Sequence, residues 1–262
     1  MKITVLAENT ACRQDLACEH GLSLHIETGS TRILFDAGQT SLFAENAEKL
    51  GIDLKKVDFA VLSHGHYDHG GGLNRFLELC TTAPVYASRE AFGEHYNGTE
   101  KYIGLSPALW GHPRIIPVDS TQLLAPGITL HPGTTLPCFQ KVQSHGLTLR
   151  KEGRFLPDPF RHEAYLLVEE AGKRILFSGC SHRGILNIAR HFRPHVLIGG
   201  FHFLKLDPIA DADQLSHAAE ALLQLPTTYY TGHCTGQSQF DYLKGRMGSR
   251  LHPISTGTVI EI

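Results

Sequence analysis

Ser63-His64-Gly65-His66-Tyr67-Asp68-His69-Gly70-Gly71-Gly72 puts three imidazoles and a carboxylate into six consecutive positions, 64 to 69. Just before it runs Val57-Asp58-Phe59-Ala60-Val61-Leu62, short and apolar enough for a buried strand. Just after it come glycines that let the backbone turn sharply and approach another group closely. Donors on a loop at the end of a buried strand are held rigidly yet face a cavity, as a catalytic metal requires. In extended backbone His64, His66 and Asp68 point one way and His69 the other. One loop can then serve two neighbouring metals, His64 and His66 on the first, Asp68 and His69 on the second. Imidazole with carboxylate suits zinc, iron, manganese or nickel rather than calcium or magnesium. A lone His-x-His reads more simply as a polar surface loop; this density of donors behind an apolar strand favours metal binding.

Outward from that loop, the totals describe an ordinary globular chain. It has 262 residues, 42% apolar and 19% charged, enough for one large domain or two small ones. A net charge of −2 gives no electrostatic footprint for a polyanion, so nucleic acid is not an expected partner and a small-molecule substrate is. Seventeen histidines is the one outlying count, and imidazole is the commonest metal ligand. Six cysteines are scattered without the spacing of a disulfide scaffold. The first residues read as a strand rather than a signal peptide, and no apolar run is long enough for a membrane span. A cytoplasmic location, with no membrane contact, is expected.

Along the chain, Ser23–Glu27 and Thr31–Asp36 read as a hairpin ending in Asp36-Ala37-Gly38. Residues 41–51 and Leu73–Leu79 have helical spacing, and Pro84–Ser88 is a short strand. Residues 91–161 change character, crowded with aromatics, glycines and prolines. Strands return at Arg114–Val118 and Gly127–Leu130, while Phe155–Phe160 looks irregular. The segment is predicted to be an insertion or lid over the site, forming part of the substrate pocket. Regularity resumes with a hairpin, Ala164–Glu169 and Arg174–Ser178, ending in Gly179-Cys180-Ser181-His182. A helix from Arg183, a buried strand ending at Phe201-His202, a helix over 213–225, a strand into Gly232-His233-Cys234, a helix over 237–247 and a last strand follow. The two strand-rich halves are consistent with a duplicated αβ layer.

Strands thus end in metal-competent side chains at 64–69, 180–182, 202 and 233, and in α/β proteins ligands gather outside the carboxyl ends of strands. The expected division is His64, His66 and His182 around one metal and Asp68, His69 and His233 around the other. His20, in Glu19-His20-Gly21, either faces the site or is a plain loop histidine. Arg161, Arg183 and Lys205 flank the motif loops and can hold an anionic group, though each also reads as an ordinary surface charge. His202 is a candidate for substrate contact or a buried structural residue. Cys234 reads as structural, since nothing nearby signals a lowered thiol pKa.

The pattern His64-x-His66-x-Asp68-His69 after an apolar strand resembles the metallo-β-lactamase superfamily. The resemblance implies a four-layer αββα sandwich with a one- or two-metal site at one edge. It implies that Asp36 orients a metal ligand from behind, and that Cys180 lies where the superfamily places an Asp or Cys near or between the metals. His162, eighteen residues before Cys180, resembles the usual placement of the third motif's histidine and rivals His182. Further strings, among them Leu34–Gln39, Gly179–His182, Gly199-Gly200-Phe201-His202 and Gly232–Gly236, resemble a narrower group named after a dihydropterin–ribofuranosylaminobenzene phosphate synthase. The match is weakest over 91–160, where substrate choice should live.

The expected activity is a metal-dependent hydrolase, or a related metal-assisted transferase, acting on a small phosphorylated or ester-like substrate. Two divalent transition metals, zinc first with iron or manganese as alternatives, would activate water at neutral pH, and Asp68 would orient it and accept its proton. A redox protein with a non-haem iron centre is the main rival, and a metal sensor without turnover the third reading.

Overall fold

The apolar run before the histidine loop forms the strand Phe59–Leu62, buried along its whole length. In the computed structural model, which describes residues 1–262, it lies inside a seven-stranded sheet. The order is Val259–Glu261, Lys2–Ala7, Ser23–Glu27, Arg32–Phe35, Phe59–Leu62, Val85–Ser88 and Ile115–Val118. A second seven-stranded sheet runs Leu251–Pro253, Thr228–Thr231, Val196–Ile198, Lys173–Phe177, Ala164–Glu170, Ile128–Pro132 and Gln122–Ala125. The two share one plan. Lys2–Ala7, Ser23–Glu27 and Arg32–Phe35 are antiparallel, then Phe59–Leu62, Val85–Ser88 and Ile115–Val118 continue in parallel. Ile128–Pro132, Ala164–Glu170 and Lys173–Phe177 repeat the antiparallel part, and Val196–Ile198, Thr228–Thr231 and Leu251–Pro253 the parallel part.

Side chains alternate across each strand, so each sheet feeds two cores. Ile3, Val5, Leu24, Phe35 and Val61 face Leu130, Leu166, Val168, Phe177 and Ile198 between the sheets. Phe35 and Phe177 meet there with ring centroids 5.8 Å apart; truncating either to Ala should cost about 3–5 kcal/mol. The opposite face of the first sheet, with Leu34, Ala60 and Leu62, packs Phe43, Ala47, Leu73 and Phe76 from the helices Leu42–Lys49 and Leu73–Leu79. On the second sheet Tyr165, Leu176, Leu197 and Tyr229 pack Ile188, Ala219, Leu222 and Leu243 from Ile185–Phe192, Ala212–Leu223 and Gln237–Met247. The result is an αββα sandwich. No helix is long and apolar enough to cross a membrane.

Several expectations change. Residues 91–161 are not one continuous insertion, because Ile115–Val118 completes the first sheet and Gln122–Ala125 with Ile128–Pro132 the second. What stands outside the sandwich is a four-stranded sheet, Arg154–Pro157, Leu147–Lys151, Glu94–Asn97 and Lys101–Tyr102, stitched from separate stretches. Phe155–Pro157, expected to be irregular, belongs to it. The histidine loop also departs from extended backbone. His66 is extended (φ −103°, ψ 147°), but Tyr67–Gly70 makes a helical turn. The glycines behind it serve close approach rather than turning: Gly71 and Gly72 have φ of −62° and −77°. A Cβ on Gly71 would lie 2.1 Å from the Gln39 carbonyl oxygen.

Candidate metal centre

The carboxyl ends of strands from both sheets meet at one edge of the sandwich, joined by Ala164 N donating to Ser63 O at 2.6 Å. The loops there carry two adjoining sets of donors. His64, His66 and His182 are buried and their ligand atoms lie within 4.8 Å of one another. The Ser63 hydroxyl gives its proton to Asp36 Oδ2 at 2.7 Å and accepts from His64 Nδ1 at 2.8 Å, which leaves His64 Nε2 as a bare lone pair. His64 Nε2, His66 Nε2 and both ring nitrogens of His182 are buried without a partner. Burial, then the neighbouring imidazoles, hold all three histidines well below their ordinary pKa, so they sit neutral with lone pairs available. Buried polar atoms are nearly always satisfied. A set of converging lone pairs is what a transition metal would satisfy.

The second set is built around His69, whose Nδ1 donates to Asp36 Oδ2 at 2.7 Å. Its Nε2 lies 3.2 Å from Cys180 Sγ and 3.1 Å from His233 Nε2. His233 Nδ1 donates to Asn9 Oδ1 at 2.9 Å, which turns Nε2 inward to within 3.3 Å of Asp68 Oδ2. Glu8 fixes the same corner by accepting from His233 N at 2.6 Å. His20, 47% exposed, reaches Asp68 Oδ2 at 3.4 Å and lies against His233 with ring centroids 4.7 Å apart. Burial alone would raise the Asp68 carboxyl, but His69, His20 and His233 hold it well below the usual range. His69 is raised: burial opposes the charge, and Asp36 and Asp68 outweigh it. Burial, then Cys234, pushes the Cys180 thiol up. His64, His69 and His233 are thus oriented from behind by a hydroxyl, a carboxylate and an amide, the usual support of a metal-binding imidazole.

His162 is buried beside these sets but turned differently. Its Nδ1 accepts from Gly65 N at 2.9 Å and its Nε2 is 3.4 Å from Asp158 Oδ2. Asp158 also accepts from His95 Nδ1 at 2.8 Å and from Phe160 N at 2.7 Å. Burial would raise Asp158, yet His162 and His95 beside it bring it well below its ordinary range. Sequence reasoning missed His95 and Asp158, along with Asn9, Glu8 and Glu163. His95 and Asp158 are 63 residues apart and meet only where the chain leaves the added sheet.

Above the donors lies a cavity of about 180 Å³, with His20, Tyr67, Lys101, Leu147, His202 and Lys205 among its walls. Lys101 and Leu147 come from the added sheet, so that sheet does border the site. Lys101 Nζ stands 5.6 Å from the Tyr67 ring centroid, and Lys205 Nζ donates to His145 O at 2.6 Å. His202 has φ +58° and packs its ring 4.2 Å from that of His182; burial lowers its pKa to about 3. Arg183 requires a correction. Rather than facing the cavity, its guanidinium donates to the carbonyls of Leu136 and Pro159, each at 3.2 Å, and to Cys138 Sγ at 3.0 Å. The backbone N–H groups of His182 and Arg183 both donate to Glu163. Arg183 therefore braces chain segments instead of offering a charge to substrate. Arg161 pairs at 3.7 Å with Glu90, and Cys234 Sγ donates to Cys180 O at 3.5 Å in the cavity wall.

Donor loops from two stacked sheets, converging at one edge of an αββα sandwich, define a class, and the sequence agrees: the metallo-beta-lactamase superfamily matches over residues 18–233, and the chain belongs to that superfamily. Within it, the chain is 32% identical to the 7,8-dihydropterin-6-methyl-4-(beta-D-ribofuranosyl)-aminobenzene-5'-phosphate synthase of Methanocaldococcus jannaschii, over 90% of this chain and 88% of that protein. It is 29% identical to an uncharacterized protein of the same organism, over 77% of this chain and 79% of that one. Among solved structures it is similar to Tm1679, described as a metal-dependent hydrolase of the beta-lactamase superfamily, with a TM-score of 0.84 and 29% identity over 100% of this chain and 99% of that one.

Proposed function

We propose that this chain is a hydrolase that uses two divalent transition metals, zinc foremost, to direct water onto a small phosphorylated or ester-like substrate. The observation that carries the reading is the convergence of unpartnered, buried imidazole nitrogens from both sheets on one cavity. The superfamily membership and the likeness to Tm1679 support it. His64, His66 and His182 would hold the first metal, and Asp68, His69 and His233 the second, with Cys180 beside His69 as a further donor. When bound, the metals would lower the pKa of water and polarise the carbonyl or phosphoryl group under attack.

The chain's own residues do the rest. Asp68 Oδ2, ionised and open to the cavity, orients the attacking water and takes its proton as the new bond forms. His20, in contact with Asp68 and with solvent, offers that proton a way out. Asp36, Ser63 and Asn9 fix which nitrogen of His69, His64 and His233 faces inward. His202 and the apolar wall around Leu147 narrow the cavity, and Lys205 offers a positive charge at its mouth to an anionic group. A relative 32% identical is named a synthase, which favours transfer to an acceptor other than water as the second reading.

The test is a screen of phosphodiesters, phosphomonoesters, lactones and thioesters with zinc-loaded protein and with protein stripped by chelator. Zinc-dependent turnover of one class, lost on stripping and restored by metal, is expected. Equal rates with and without metal would overturn the reading, and tightly held iron with oxygen-dependent spectral change and no hydrolysis would replace it with redox chemistry.

A further inference from the structure

His162 sits in the chain where a metal-binding histidine of this superfamily is expected, yet its hydrogen bonds point elsewhere. A backbone N–H can only donate, so the 2.9 Å contact from Gly65 N commits the lone pair of His162 Nδ1. The neutral ring then carries its proton on Nε2, and that atom faces Asp158 Oδ2 at 3.4 Å. A protonated nitrogen cannot ligate a metal. His182 differs, because neither of its nitrogens has a partner, whereas on His162 Nδ1 is committed and only Nε2 is left over.

His66, His95, Asp158 and His162 also lie within 4.8 Å of one another, as a metal site would. The 2.8 Å between His95 Nδ1 and Asp158 Oδ2 is the length of a charge-assisted hydrogen bond. Two donors on one zinc at about 2.0–2.2 Å each stand further apart than that in a tetrahedron. The cluster is therefore held by protons. Its members come from the added sheet and its exit: His95 lies on Glu94–Asn97, and Asp158 N donates to Leu147 O at 3.1 Å. It ends on Gly65, the residue between two proposed ligands, where a Cβ would lie 2.0 Å from the Ala91 carbonyl oxygen.

We infer that the His95–Asp158 hydrogen bond, the Asp158 carboxylate facing His162 Nε2 at 3.4 Å and the hydrogen bond from Gly65 N to His162 Nδ1 together anchor the metal loop at Gly65, with His162 a positioning residue and not a ligand. The inference rests on the proposed metal site and adds residues to it. It makes the added sheet, which walls the cavity through Lys101 and Leu147, also the brace of the first metal's ligands.

The test compares His162→Asn, His162→Gln and His162→Ala with the wild type, by metal content after zinc saturation and by zinc affinity in chelator competition. The Asn Oδ1 takes the place of Nδ1 and can accept from Gly65 N, whereas the Gln terminus reaches the place of Nε2. All variants are expected to keep the wild-type number of zinc ions at saturation, while His182→Ala loses one. Affinity should fall about 10-fold in the Ala and Gln variants and recover to within about threefold of wild type in the Asn variant. The d–d spectrum of the cobalt-substituted Asn variant should match the wild type. Loss of one zinc in every His162 variant, better function in Gln than in Asn, or equal impairment in all three would overturn the inference. Should His162→Ala fail to fold, the Asn–Gln comparison decides alone. A wild-type protein that takes up no zinc would instead sink the metal-site reading itself.

Discussion

Asp36 Oδ2 lies 2.7 Å from His69 Nδ1, and neither side chain is exposed to solvent. That contact decides which nitrogen of His69 faces the cavity, and the Ser63 hydroxyl on the same oxygen extends the decision to His64. Asp36→Asn keeps the shape but cannot accept from both partners at one oxygen without presenting an N–H nearby. A loss of about 10–100-fold in metal affinity is expected, read by chelator competition. Unchanged affinity would mean that the ring orientations are set elsewhere.

Asp68→Ala removes the only carboxylate among the proposed metal ligands. Turnover at saturating metal should fall by at least about 10²–10⁴-fold, with the circular dichroism spectrum retained. Unchanged activity in this variant would refute the role given to Asp68.

Metal removal should also cost stability, because it leaves buried lone pairs at His64, His66 and His182 unsatisfied. A ligand bound only by the folded state, at a hundredfold excess over its Kd, contributes about 2.7 kcal/mol. For a chain of this length that amounts to roughly 5–10 °C in Tm. Differential scanning calorimetry of stripped and zinc-loaded protein measures it, and coincident transitions would contradict the proposed site.

Lys205 flanks the cavity mouth, its ammonium group already holding the His145 carbonyl. For an anionic substrate, Lys205→Gln should weaken binding by about 1 kcal/mol, or roughly fivefold in KM, and leave kcat nearly unchanged. A neutral ester of similar size should show no difference. A drop in kcat alone would assign Lys205 to the chemical step.

His25 provides a pH probe away from the proposed donors. It is 3% exposed on Ser23–Glu27, and neither ring nitrogen has a hydrogen-bond partner. Burial lowers its pKa in the folded chain, so below about pH 6.5 the unfolded chain takes up a proton that the folded one refuses. Stability therefore falls as pH drops through that region, by at most about 1.4 kcal/mol per pH unit for this one group. Thermal unfolding from pH 8 to 5 should show a shallower acid limb for His25→Phe than for the wild type. Parallel limbs would place the sensitivity on other histidines.

The parts of the site legible in the sequence were those whose signal is local. An apolar run followed at once by His64, His66, Asp68 and His69 is readable because strand and donors are contiguous, and the same holds for Cys180, His182 and His233. The helices Leu42–Lys49, expected over 41–51, and Leu73–Leu79 were legible from apolar spacing. The added sheet was not. Its strands are two to five residues long and mostly exposed, so they lack the clean alternation that marks a strand. The pairing of Leu147–Lys151 with Glu94–Asn97 joins stretches some fifty residues apart. Arg183 misled for a related reason: next to a motif it looked free, and only the fold brings the Leu136 and Pro159 carbonyls to it. Backbone shape misled too, since alternation in an extended loop does not describe a helical turn at Tyr67–Gly70.

The seam between the two sheets has a kinetic corollary. The contact between His69 and His233 spans 164 residues, and that between His69 and Cys180 spans 111. Nascent chain released as far as the first donor loop holds only a fragment of the chelating cage, and the rest arrives after the second half has docked. Loops this long close late. Ion capture should accordingly follow collapse rather than nucleate it, locking a seam that is already made.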